Sequence, residues 1–224
     1  MEVIEEALRQ GRAILSEHES KEVLKAYGIP VTREVEVIDP EGLREAVERI
    51  GFPLVIKACG PELSHKTESG LVRVDIRDMD EALSAYHQLH GAMAGQSGGT
   101  ILVQEMIKGQ RELVVGLTRD PQFGPCVMFG LGGIFTEVLR DISFRVAPIE
   151  HRDAMEMMQE IRARKILEGV RGMPPADLDK LAQILIRVGS IGVEQEAIKE
   201  IDINPVILKG SEPVAVDALV VLNQ

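Results

Sequence analysis

Apolar positions along this chain recur in two periods, and the switches between them mark out alternating helices and strands. The first residues, Met1-Glu-Val-Ile-Glu-Glu, are acidic with helical spacing. Ser16-Glu17-His18-Glu19 has the form of a capping box and opens a helix through Val23 and Leu24, which Gly28-Ile29-Pro30 stops. Residues 31–38 alternate as a strand, and Asp39-Pro40 starts a helix that Gly51-Phe52-Pro53 closes. A buried strand over 54–58, a polar loop over 60–70, a returning strand over 71–76 and a helix near 81–93 follow. The glycine-rich stretch 95–99 reads as a boundary or a mobile edge.

The second half predicts strands at 100–105, 112–116, 125–129 and 144–148, helices near 152–161 and 177–188, and a closing acidic hairpin. Tight strand–turn–strand steps dominate there, which predicts a largely antiparallel sheet. The expected fold class is α+β, in two lobes with a cleft between them. The N-terminal lobe is expected over 1–98 and the C-terminal lobe over 99–224.

Composition narrows the function. At 224 residues with 45% hydrophobic content the chain can bury a sizeable core. No apolar run approaches the roughly 20 residues that span a bilayer, and the acidic start is not a signal peptide, so no membrane association and a cytoplasmic location are expected. A net charge of −11 argues against a nucleic-acid surface, although local cations still allow a nucleotide. Cys59 and Cys126 form no CxxC and read as small buried hydrophobes rather than as a redox pair or zinc site.

Side chains on a strand alternate, so Glu200, Asp202 and Asn204 share one face, and Asp217 returns on the strand that follows. That surface is either the solvated side of an edge hairpin or the seat of a Mg²⁺ carrying nucleotide phosphates, an ion that takes only one or two carboxylates. Lys57 ends an apolar strand and must reach solvent or pair with an anion, phosphate included. Glu105 and Glu112 are either exposed strand carboxylates or ribose and adenine contacts at the lobe junction. The run from Gly130 to Gly133 is a hairpin turn or a phosphate-wrapping loop, with Arg140 and Arg145 just beyond it. It matches neither the Walker A nor the GxGxxG spacing. His65, in a polar loop between two apolar strands, is an exposed loop histidine or a phosphoryl acceptor.

The ordered set Tyr27-Gly-Ile-Pro30, Pro53-Leu-Val-Ile-Lys57, Ser64-His-Lys-Thr-Glu-Ser-Gly70, Val103-Gln-Glu-Met106, Arg111-Glu-Leu-Val-Val-Gly116, Gly130-Leu-Gly-Gly-Ile-Phe135-x-Glu137 and Glu200-Ile-Asp-Ile-Asn-Pro205 resembles an ATP-grasp protein. More narrowly it resembles the β subunits of ADP-forming acyl-CoA (acetyl-CoA) synthetases, relatives of succinyl-CoA synthetase. The resemblance covers essentially the whole chain. It implies an ATP-grasp fold with ATP or ADP between the lobes. Lys57 would contact phosphate, Glu105 and Ile107 would lie at the adenine hinge, and Glu112 near ribose. Asn204 and Asp217 would coordinate Mg²⁺, and His65 would be transiently phosphorylated, oriented by Asp202 and Glu200. Gly132, Gly133 and Arg145 would sit over the phosphates. The family's CoA-binding domain and its domain with the primary catalytic histidine find no counterpart here. A separate α subunit, in an α2β2 assembly, is therefore expected to supply them. Two other readings stand beside this one: an ATP-grasp ligase joining a carboxylate to an amine, and a non-catalytic nucleotide sensor related to protein acyltransferase fusions.

Overall fold

The computed structural model describes residues 1–60, 70–93, 99–133, 141–169 and 172–223. Local signals set the helix starts. Helix α1 spans Glu2–Arg9 and α2 Glu17–Ala26, the latter opened by the Ser16–Glu19 capping box. Asp39 accepts from the Gly42 amide to start α3 (Pro40–Ile50), and Asp78 from Glu81 to start α4 (Met79–Ala92). Helix α5 covers His151–Glu160, and α6, capped by Asp177, covers Leu178–Glu194. Each such cap satisfies an amide that the helix itself leaves open, worth about 1 kcal/mol. Among the described residues no helix is long and apolar enough to cross a membrane.

Among the described residues the strands form two sheets in which every ladder is antiparallel. The first runs β1 (Glu34–Val37), β4 (Thr100–Glu105), β2 (Leu54–Cys59), β3 (Val72–Ile76) in spatial order. Leu54, Ile56 and Ala58 of β2, with Ile101 and Val103 of β4, pack on α3 and α4 as one core. The alternate residues Val55, Lys57, Cys59, Leu102 and Gln104 therefore face the other way.

The second sheet runs β10 (Leu219–Leu222), β8 (Ile198–Lys209), β5 (Glu112–Asp120), β6 (Gly124–Leu131), β7 (Ile142–Val146), with β9 (Glu212–Ala215) paired to the far half of β8. Its core face carries Leu113, Val115, Leu117, Val127, Phe129, Ile201 and Ile203 against Met157, Leu181, Leu185 and Val188 of α5 and α6. Arg119 closes the end of α6 by donating to the carbonyls of Gly192, Gln195 and Ile198.

The lobes do not divide the chain at residue 98. Strand β4 completes the first sheet, whereas Ile4, Ala7, Val23 and Leu24 of α1 and α2 are buried in the second core. The reason is geometric: β4 lies between β1 and β2 and pairs with both, and α2 offers its apolar stripe to β10.

Candidate active site

Helix α2 lies along the seam between the lobes with two different faces. Val23 and Leu24 join the second core, and the Ser20 hydroxyl accepts from the Val220 amide of β10. Glu17 and Lys21, one turn apart, point instead at the first sheet. Lys21 Nζ, 1% exposed, donates to Glu17 Oε1 (2.8 Å), Glu34 Oε2 (2.7 Å), Gln104 Oε1 (2.7 Å) and Thr32 Oγ1 (3.2 Å). Glu34 and Gln104 are cross-strand neighbours on β1 and β4, so one ammonium ties both strands to the helix. Gln104 Nε2 is buried without a hydrogen-bond partner among the described residues.

Lys57 extends this network into the cleft. Its side chain is buried, and Nζ donates to Glu17 Oε1 at 2.7 Å and to the Val216 carbonyl at 3.4 Å, with Asp217 Oδ2 at 3.6 Å. Burial is the largest single influence on this ammonium and pulls its pKa down. Glu17, Asp217 and Glu34 together outweigh it, and the net shift is upward. A lysine in an apolar strand has thus paired with anions across the seam rather than snorkelled to water.

The acidic strand owes its geometry to an irregularity. Ile198, Glu200, Ile201 and Asp202 of β8 pair with β10, and residues 206–209 pair with β9. The residues joining β9 to β10 therefore cross opposite Asn204, where the Asn204 amide donates to the Asp217 carbonyl (3.2 Å) and Val216 to Pro205 (3.0 Å). The ladder to β5 shifts register at the same place, which lets Pro205 sit inside a central strand. Glu200, Asp202 and Asn204 share the cleft face as the alternation predicts, since Ile201 and Ile203 are buried in the core. The Asp202 carboxyl is pushed up to about 6, first by burial and then by the charges of Glu200 and Asp217.

This cluster fits Mg²⁺. Its donors are all oxygen, Glu200 and Asp217 both raise the Asp202 carboxyl by their charge, and Asp217 is 40% exposed. Among the described residues no three His, Cys, Asp or Glu side chains converge as a closed cage. An ion that keeps phosphate and water in most of its positions needs no such cage.

The segment between β4 and β5 crosses from one sheet to the other, so Glu105 and Ile107 lie at the junction. Glu105 is held there by Arg33, whose amide donates to Oε1 (2.8 Å) and whose guanidinium donates to Oε2 (3.3 Å). Ile107 is buried. Glu112 starts β5, and its carbonyl accepts from the Gly132 amide at 2.8 Å. A Cβ on Gly132 would lie 2.9 Å from the Glu112 carbonyl carbon. One on Gly133, which has φ +64°, would lie 2.8 Å from Glu112 Oε2. Gly132 is required by this close approach to backbone, and Gly133 is favoured by its positive φ.

Arg145 does not join them. Its cross-strand partner is the core residue Val127, so it projects from the helical face of the second sheet, opposite Asp202. There it pairs bidentately with Glu160 of α5, with Glu156 3.7 Å away. The expectation that it covers the phosphates is corrected by strand parity. His65 lies outside the described residues. Glu17, Lys21 and Gln104 were missed by the sequence reading. A Glu–Lys pair at i,i+4 on an amphipathic helix looks like a solvated face, and the available signal was that a second apolar surface needed covering there.

Comparison with known proteins identifies the family and the fold. The ATP-grasp domain family matches residues 6–222. The β subunit of acetate–CoA ligase (ADP-forming) I from Pyrococcus furiosus is 43% identical over 99% of this chain and 97% of its own length. Acetate–CoA ligase (ADP-forming) I of Archaeoglobus fulgidus is 39% identical over all of this chain, which spans 33% of that longer protein. Dinucleotide forming acetyl-coenzyme A synthetase 1 of Ca. Korarchaeum cryptofilum, in complex with coenzyme A and Ca-AMPCP, superposes with a TM-score of 0.94 at 43% identity over 99% of both chains. In another complex of that protein, with Mg-AMPPCP, the phosphohistidine segment points towards the nucleotide binding site; its TM-score is 0.88 over the same shares.

Proposed function

Because the chain belongs to the ATP-grasp family, among the β subunits of ADP-forming acetate–CoA ligases, we propose that it is the nucleotide-binding half of a reversible ligase. The reaction interconverts acyl-CoA, ADP and phosphate with the free acid, CoA and ATP. An α subunit supplies the CoA and acyl sites, in an α2β2 assembly. This division is supported by the Archaeoglobus relative, in which a chain of this kind occupies about a third of one polypeptide.

The observation that carries the reading is the crossing at Asn204. A backbone bond holds Asn204 beside Asp217, and Asp217 stands beside Lys57 of the opposite sheet. Asn204 and Asp217 would hold Mg²⁺, which when bound draws charge from the diphosphate oxygens. Lys57 neutralises a phosphate oxygen from the other side. Glu105 and Ile107 line the base, Glu112 accepts from a ribose hydroxyl, and the Gly132-Gly133 backbone approaches the phosphates.

In the ATP-forming direction His65 receives a phosphoryl group relayed from the partner. Its N–P bond then breaks as a β-phosphate oxygen of ADP forms the new O–P bond, and the imidazole is released. Asp202 and Glu200 orient the ring. Catalysis is chiefly positioning and charge neutralisation. With the α subunit supplied, His65→Ala is expected to abolish ATP formation from acetyl-CoA, ADP and phosphate while Mg-ADP binding persists. Near-normal turnover by that variant would remove His65 from the reaction.

A further inference from the structure

We propose that the α subunit docks on the half of the second sheet's cleft face formed by Met128, Ile142, Phe144 and Val146, beside Glu200 and Asp202. The proposal rests on the reading of this chain as the nucleotide-binding subunit of a two-subunit ligase.

Strand register lays this face out. Asp202, Gly116, Met128 and Phe144 are cross-strand partners in one row that runs from β8 through β5 and β6 to β7. Glu200, Thr118, Cys126 and Val146 form the row beside it. Both rows lie opposite the helices, because the alternate residues Leu117, Val127 and Ile201 fill the core. Each row starts acidic and ends apolar. No charged residue stands on this face of β6 or β7, although 27% of the chain is charged. Phe144 and Val146 are nevertheless each 47% exposed, and β7 is the last strand of the sheet among the described residues. Exposed aromatic and aliphatic side chains with charge excluded are the composition of an interface centre.

The apolar half is continuous with the acidic one. Gly116 puts no side chain between Asp202 and Met128, and the terminal methyl of Met128 lies 3.1 Å from where its Cβ would be. Phe144 is three strands from Asp202, about 14 Å at the usual spacing. A standard interface covers about 800 Å² per partner, roughly 30 Å across, so one partner spans both halves. The subunit that relays a phosphoryl group toward Glu200 and Asp202 must reach this face in any case. An apolar anchor beside them holds it there and leaves the acidic half for the transfer. A second copy of this chain suits the face less well. Two-fold pairing of the same patch would bring together two acidic columns of a chain with net charge −11.

The test is the affinity of the full chain for the separately purified α subunit of the same organism, measured by sedimentation. Phe144→Glu is expected to weaken it about thirtyfold or more while Mg-ADP affinity of the chain alone stays within about twofold. Val74→Glu charges another exposed apolar residue, on the first sheet, and is expected to change α affinity less than about twofold. Unchanged α binding by Phe144→Glu, or an equal loss by Val74→Glu, overturns the proposal. A loss of Mg-ADP affinity as large as the loss of α affinity also overturns it and makes Phe144 a nucleotide contact. A chain that dimerises without α, and that Phe144→Glu renders monomeric, gives the face to a second copy and refutes the proposal as well. Wild-type chain that fails to bind α at all sinks the two-subunit reading, and this inference with it. Should Phe144→Glu show no cooperative thermal transition, Phe144→Ser is read in the same way. Its expected loss of α affinity is about tenfold, and an unchanged affinity rejects the docking face.

Discussion

Lys57 Nζ and Asp217 Oδ2 stand 3.6 Å apart, one on the first sheet and the other on the link between β9 and β10. A cation and an anion this close, with Asp217 part-exposed to the cleft, form a pair that Mg-nucleotide can separate by giving each a new partner. Asp217→Asn should therefore weaken ADP binding in magnesium by about tenfold or more, while binding in chelator changes little. Titrations with and without the metal check this. An equal loss in both conditions would remove Asp217 from the metal.

Asp202 makes stability depend on pH. Its carboxyl lies at about 6 in the folded chain against an ordinary 3.8. Between those values the folded state keeps a proton that the unfolded state has released. Stability from this group therefore falls as pH rises through that window, and the deficit persists above it, reaching up to about 3 kcal/mol. Asp202→Asn is expected to be more stable than wild type at pH 7 and indistinguishable near pH 3.5. Denaturant midpoints at the two pH values decide the matter.

Arg145, 27% exposed, pairs with Glu160, 48% exposed, at the edge of the helical face. Arg145→Ala should cost less than about 1 kcal/mol and leave Mg-ADP affinity unchanged. A large loss of affinity would return Arg145 to the site.

Arg111 is 3% exposed and donates to the carbonyls of Ile166, Glu168, Pro174 and Gly210. Replacing it with Met strands several acceptors at once. The expected cost is about 2 kcal/mol or more, with faster proteolytic cleavage in the stretch around the 3₁₀ turn at Arg164–Leu167. Urea unfolding and limited proteolysis report the two effects separately.

Much of this was legible in the sequence, because it is local. The Ser16, Asp39 and Asp177 starts, the full span of β4 and the shared face of Glu200, Asp202 and Asn204 all follow from spacing within a few residues. What was not legible depends on contacts between distant segments. The side of the sheet on which Arg145 emerges is fixed by its pairing with β6, and the burial of Glu17 by a sheet whose strands begin seventeen residues later, at Glu34. The lobe boundary failed for the same reason, since no linker marks a helix that crosses over to the far core.

That helix has a consequence for how the polypeptide is made. The first lobe is built from residues 34–105 and its core can close as soon as they leave the ribosome. Helices α1 and α2 are synthesised before that lobe, yet the surface they bury against includes β10, which follows it by more than a hundred residues. Their apolar stripes must wait, uncovered, until β10 has been made, so a segment that precedes the first lobe is settled after it.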